Sequence, residues 1–203
     1  MVPASMTEIP DREFFTQDAL TVAAAMIGLE LTLRGVGGII VETEAYLPDD
    51  PASHSFRGPT RRNASMFGGP GSSYVYLIYG MHWCLNAVCR PGSAVLIRAL
   101  EPTAGTEVMR ARRGISDIRK LCAGTGRLAQ ALGVDGATDG QSLLAAPFSL
   151  APARSRPQLV TGPRIGISRA ADLPWRFGAA GSPFLSRPFT DRQDFPAPPK
   201  SAN

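Results

Sequence analysis

Hydrophobic positions along the chain change their spacing three times. Between residues 16 and 28, Leu20, Ala23, Met26 and Ile27 recur at helical intervals. Thr16 or Asp18 can cap that segment and Gly28 can end it, so a helix is expected there. From Gly38 to Tyr46 the pattern becomes a β-branched run that predicts a strand. Residues 48–71 are polar and rich in Pro and Gly, a length that in a compact domain marks a functional or disordered loop. Tyr74–Cys89 reads as two strands around a turn at Gly80-Met81-His82, and Val95–Leu100 as another strand. Helical patterns return at Ala104–Arg113 and Arg127–Leu132, each followed by a glycine; Thr125 is placed to cap the second. Ala145–Val160 carries few structure signals, and Ile165–Ile167 suggests a last short strand.

Strands bunched in the middle, with helices before and after, predict an α+β fold. The expected architecture is a single mixed domain, residues 1–187, on a curved, largely antiparallel sheet with a protruding β-hairpin. A Pro-rich tail, residues 188–203, follows. With 203 residues the chain can bury a real core. No run approaches the roughly 18 apolar residues of a membrane span, and the N-terminus does not read as a signal peptide. A cytoplasmic, nucleoid-associated location is therefore expected. Three cysteines without C-x-x-C spacing argue against a disulfide framework or a zinc site.

The net charge of +4 changes this picture little, but its distribution does. Arg57, Arg61, Arg62, Arg90, Arg98, Arg110, Arg112, Arg113, Arg119, Lys120 and Arg127 crowd the middle third. Arginine suits phosphate because its planar fork donates two parallel hydrogen bonds. A solvated basic face is the plainer alternative.

Two segments carry candidate chemistry. On a strand, Glu42, Glu44 and Tyr46 share one face, opposite Ile39, Val41 and Ala45. Two carboxylates there either reach solvent at a strand end or supply a general base beside an aromatic wall. All four tyrosines lie at positions 46, 74, 76 and 79. Tyr79 adjoins a Gly-Met turn, a poor place for a core residue. A hairpin with an aromatic tip can wedge between stacked bases.

The run Ile40-Val41-Glu42-Thr43-Glu44-Ala45-Tyr46-Leu47, followed by His54-Ser55, Arg62-Asn63, Met66-Phe67 and Pro70-Gly71, resembles the alkyladenine (3-methyladenine) DNA glycosylases in order and spacing. Tyr74–Met81, Asn86, Leu96–Pro102, Lys120-Leu121-Cys122, Gln130-Ala131-Leu132 and Gly181-Ser182-Pro183 continue the resemblance, which covers roughly residues 12–186. It departs from the family at Gly69, where lysine is frequent before Pro-Gly, and at His82, where an aromatic is common.

The resemblance implies a short bacterial form and a sheet shared with formyltransferase C-terminal domains. It implies a monofunctional enzyme of base excision repair. Alkylated or deaminated purines (3-methyladenine, 7-methylguanine, hypoxanthine, ethenoadenine) would be flipped from duplex DNA and cut from the sugar by a Glu-activated water. Glu44 would be the general base and Arg98 its partner in holding water. Tyr46, His54 and Tyr76 would wall the base pocket, the His54 backbone would read the base edge, and Asn86 would exclude guanine. Tyr79, with Met81, would enter the stack. The implied partner is double-stranded DNA carrying damaged purines, met by a monomer without membrane, metal or cofactor. The alternative is a non-catalytic DNA-damage-binding protein on the same fold.

Overall fold

The computed structural model describes residues 9–152 and 157–189. Helix α1, Ala19–Met26, begins at Asp18, whose carboxylate accepts from the N–H groups of Leu20 and Thr21. Such a cap contributes about 1 kcal/mol. Strands β1 (Glu30–Leu33) and β2 (Val36–Tyr46) form a hairpin. A second hairpin joins β3 (Ser73–Ile78) to β4 (His82–Val88), and β5 (Ala94–Ala104) follows. Helices α2 (Thr106–Arg113) and α3 (Thr125–Leu132) precede three short strands, β6 (Phe148–Ala151), β7 (Leu159–Gly162) and β8 (Arg176–Ala179).

All strand pairs are antiparallel, in the order β3-β4-β5-β2-β1-β6, with β8 joining β2 to β7. The expected α+β architecture is therefore present. Strand β2 is the axis of the sheet. One edge runs along β5; the other pairs with β1 at its start and with β8 over Glu42–Glu44. Gly38 permits this crowding, since a Cβ there would lie 1.9 Å from the Glu101 carbonyl oxygen.

Period-two alternation divides the sheet into two faces with different work. Val75 of β3, Leu85 and Ala87 of β4, and Val95, Ile97 and Ala99 of β5 point into the main core, where α1 and α3 pack. Tyr74, Tyr76, Cys84, Asn86, Leu96 and Arg98 alternate with them and face a cavity instead. Met66 from the long loop packs there with Tyr74, Val88 and Ala94. No helix among the described residues is long and apolar enough to cross a membrane.

Several local expectations are corrected. Ala104 ends β5, so α2 begins only at Thr106. Gly124, not Thr125, occupies the α3 N-cap, with a positive φ and no side-chain cap hydrogen bond. Residues 145–160, read as low in structure, contain β6 and the start of β7. Ile165–Ile167 is not a strand: the Ile165 N–H goes to a carboxylate and Gly166 has φ 79°. His82 already belongs to β4, and the turn sits one residue earlier than expected. The Pro-rich tail lies outside the described residues from 190 onward. Of its described residues, Phe189 lies under the Arg176 guanidinium at 3.8 Å.

Candidate active site

Both carboxylates of the β2 face are fully buried, which removes the reading that they reach solvent. Their surroundings differ. Glu44 Oε2 accepts from the Tyr46 hydroxyl at 2.9 Å and lies 3.2 Å from Arg98 Nη1. Its Oε1 accepts from the Ile165 N–H at 2.7 Å. Glu42 Oε1 accepts from Arg98 Nε at 3.0 Å, Arg176 Nε at 2.8 Å and Ser186 Oγ at 2.7 Å, and its Oε2 from Ser186 N–H at 2.6 Å. Arg98 thus lies between the two carboxylates. Burial opposes its charge, but Glu44 and Glu42 outweigh that and raise its pKa further.

A cavity of about 320 Å³ opens in front of this cluster. Tyr46, His54, Tyr76, Asn86 and Arg98 all line it, together with Cys84, Met66, Thr125 and the segment Ile165–Ile167. Glu44 sits just behind: its three hydrogen-bonding or ionic partners, Tyr46, Arg98 and Ile165, are wall residues. The rings of Tyr74 and Tyr76 lie 5.4 Å apart at 32°, and His54 meets Tyr76 edge-on at 4.5 Å. Tyr74 Oη and His54 Nδ1 are 2.8 Å apart. Burial, with Glu44 next to it, pushes the Tyr46 phenol far above its usual range. Burial raises Tyr74 to about 12 and Tyr76 higher still. All three tyrosines therefore stay neutral and keep their hydroxyl protons near neutral pH.

The long loop is tied down by Asn63, a buried residue the sequence offered only as part of a motif. Its Nδ2 donates to the carbonyls of His54 and Gly58, at 2.8 and 3.2 Å. The His54 carbonyl thus accepts one hydrogen bond from Asn63. Asn86 on β4 donates from Nδ2 to the Tyr74 carbonyl at 2.9 Å, which fixes how its amide is turned.

At the hairpin tip Tyr79 and Gly80 have φ of 53° and 69°, and Met81 N–H donates to Ile78 O at 3.1 Å. Both signs are those of a type I′ turn, natural for Gly80 but costing Tyr79 on the order of 1–2 kcal/mol. Tyr79 is 80% and Met81 68% exposed, so neither contributes much packing in the free protein. Tyr79 nevertheless borders the cavity.

Sequence reasoning missed Arg164 and Asp50. Arg164 is buried and paired with both Asp50 carboxylate oxygens, donates to the Ala45 carbonyl at 3.0 Å, and lies over the rings of Tyr46 and Trp175 at 4.6 and 4.9 Å. These partners are far apart in sequence, so no local pattern announced them. The middle basic stretch is also less free than its charge suggested. Arg112 and Arg113 donate to the carbonyls of Ala131 and Leu121, tying α2 to the α3 region. Arg57, Arg61 and Arg62 on the long loop are exposed, and Arg62 lies beside His54 and Tyr74. The three cysteines are buried free thiols.

Residues 13–183 match the family described as Methylpurine-DNA glycosylase (MPG). The chain belongs to that family. A protein of Nitrosospira multiformis provisionally named 3-methyladenine DNA glycosylase is 59% identical over 178 residues, 86% of this chain and 92% of its own length. One of Rhizobium meliloti with the same name is 57% identical, covering 88% and 97%. Another, from Rhodopseudomonas palustris strain BisB18, is 54% identical across 94% and 98%.

Proposed function

We propose that this methylpurine-DNA glycosylase family member flips alkylated or deaminated purines out of duplex DNA and hydrolyses their N-glycosidic bond, with Glu44 as general base. The observation that carries the reading is the cavity itself. It has aromatic walls, its volume of about 320 Å³ falls at the lower end of the range of small-molecule pockets, and Glu44 lies directly behind Arg98 and Tyr46.

A glycosidic bond inside a stacked duplex is out of reach, so the nucleotide must rotate out at a cost of a few kcal/mol. Stacking a base on an aromatic ring recovers about 1–3 kcal/mol. The neutral faces of Tyr46 and Tyr76 suit purines made cationic by alkylation at N3 or N7. Tyr79, held outward by its left-handed backbone, supplies a ring to fill the vacated place in the stack. Exposed Arg57, Arg61 and Arg62 are available to phosphates near the cavity mouth.

Glu44 Oε1 accepts one hydrogen bond from the protein, and a carboxylate oxygen can accept two. The second position is closed to solvent in the free protein, so the water must be admitted past the wall residues Tyr46, Arg98 and Ile165 when the nucleotide enters. Arg98 and the Ile165 N–H hold the carboxylate in its orientation. The water oxygen would attack C1′ of the sugar as the C1′–N9 bond breaks. Its proton would pass to Glu44, and the bonding electron pair would leave with the base. A base made cationic by alkylation departs neutral and needs no acid, so for it one carboxylate suffices where sugar hydrolases use two. A neutral base such as hypoxanthine departs as an anion and takes its proton from water.

The test is release of free base from duplexes carrying 3-methyladenine, 7-methylguanine, hypoxanthine or ethenoadenine. The proposal expects abasic sites from at least one of them. Tight binding to all four with no release would make the protein a damage-binding module instead.

A further inference from the structure

We infer that Glu42 is a positioning residue that acts on the reaction through Arg98, and that Ser186, outside the family match, completes it. This rests on the reading of Glu44 and Arg98 given above.

Glu42, like Glu44, is fully buried and does not itself line the cavity, but it reaches the cavity wall through Arg98 alone. Its carboxylate is nevertheless the most heavily bonded group near the site. Four donors converge on it: Arg98 Nε, Arg176 Nε, Ser186 Oγ and Ser186 N–H. What distinguishes Glu42 from Glu44 is where its partners stand: Arg176 and Ser186 lie outside the cavity lining, whereas Tyr46, Arg98 and Ile165 around Glu44 all belong to it.

What Glu42 does to Arg98 follows from the geometry of a guanidinium. The group is planar and its donors point in fixed directions. Arg98 spends Nε on Glu42 and Nη1 on Glu44. The first contact fixes the plane, and only then does the second aim along Glu44 Oε2. Without Glu42, the Nε end has no anchor, and Arg98 is free to swing toward the one carboxylate left to it.

The charges point the same way. Arg98, Arg176, Glu42 and Glu44 form a buried set of two cations and two anions. Glu42 supplies the anion for Arg176, and so leaves Glu44 to face Arg98 alone. Breaking a buried pair by removing one partner leaves an uncompensated charge.

Ser186 holds Glu42 from the far side with both its N–H and its hydroxyl, and lies three residues beyond the matched segment 13–183. The C-terminal segment is thus joined to the reacting centre by the path Ser186–Glu42–Arg98–Glu44.

A double-mutant cycle on the full chain tests this. Single-turnover release of hypoxanthine from a duplex, and affinity for that duplex, are measured for Glu42→Gln, Arg98→Gln and the double variant. Glu42→Gln should slow release by about 10²-fold, the usual effect of misplacing a reacting group by an ångström, and leave duplex affinity near wild type. In the Arg98→Gln background it should cost nothing further. Additive losses, with Arg98→Gln itself slow, would overturn the proposal and leave the reading of Arg98 standing. An Arg98→Gln variant as fast as wild type would sink that reading and the proposal with it. Should Glu42→Gln not fold, Ser186→Ala removes one bond to Glu42 Oε1 and no charge. It should slow release several-fold, and the loss should vanish in the Arg98→Gln background. A Ser186→Ala rate equal to wild type would overturn the part assigned to Ser186.

Discussion

The Arg164 guanidinium lies 4.6 Å from the centre of the Tyr46 ring, on a residue whose backbone is 118 positions away in the chain. The next residue, Ile165, donates its N–H to Glu44. Arg164 therefore braces one cavity wall with its side chain and delivers another through its neighbour. Asp50 holds it there with both carboxylate oxygens, and neither side chain is exposed.

Asp50→Asn should therefore destabilise the protein heavily. It leaves a buried guanidinium uncompensated, a change that usually costs about 3–5 kcal/mol. Urea unfolding of the two proteins measures the difference. A loss within the roughly 0.5 kcal/mol of ordinary surface substitutions would contradict the account of this pair.

Tyr79→Ala should behave in the opposite way. The side chain is exposed, so stability should hardly change. Capture of an extruded nucleotide should weaken by about 1–3 kcal/mol, the worth of one stacked ring. Affinities for a lesion-containing duplex and a single strand with the same lesion give the comparison. Equal losses on both would remove the wedge role.

Asn86→Ser tests selectivity. Guanine differs from hypoxanthine by one amino group, and an apolar pocket rejects so small an addition poorly. A rigid amide, anchored by its bond to the Tyr74 carbonyl, can do better. The serine variant should release guanine from mismatches relative to hypoxanthine more readily, by about 1–3 kcal/mol. An unchanged ratio of single-turnover rates would leave Asn86 a structural residue.

His54 should give stability a pH dependence. Burial, assisted by the nearby Arg62, lowers its pKa below the ordinary value of about 6.5. Below pH ~6.5 the unfolded chain then binds a proton that the folded protein resists. Stability contributed by neutral His54 is present above that pH and is lost as pH falls from it toward the folded-state pKa. The slope of melting temperature between about pH 5 and 7 should flatten in His54→Gln. An identical slope would mean that His54 titrates alike in both states.

How much of this was readable in advance depends on the distance over which each feature is specified. The helix at residues 19–26, the β2 strand and the β3–β4 hairpin rest on local periodicity and capping, and were legible. The pocket residues Tyr46, Tyr76, Asn86 and Arg98 were named from family resemblance, and their shared face follows from alternation within each strand. β1, β6, β7 and β8 were all missed, each a four-residue strand, and β6 and β8 pair with partners distant in sequence. Ile165–Ile167 misled for a related reason: its apolar spacing resembles a strand, yet its backbone N–H serves Glu44. The different surroundings of Glu42 and Glu44 were illegible in the residues themselves, and only the family resemblance singled out Glu44, since identical side chains two residues apart differ in what Arg176, Ser186, Tyr46 and Ile165 bring to them.

The central claim is that Glu44, set behind Arg98 and Tyr46, activates the water that attacks the sugar. Single-turnover base release by Glu44→Gln, with affinity for the same lesion duplex measured in parallel, tests it most directly. The account predicts a rate lower by about 10²–10⁴-fold, the contribution expected of a general base, with affinity kept near wild type. A Glu44→Gln variant that releases base at the wild-type rate would contradict it.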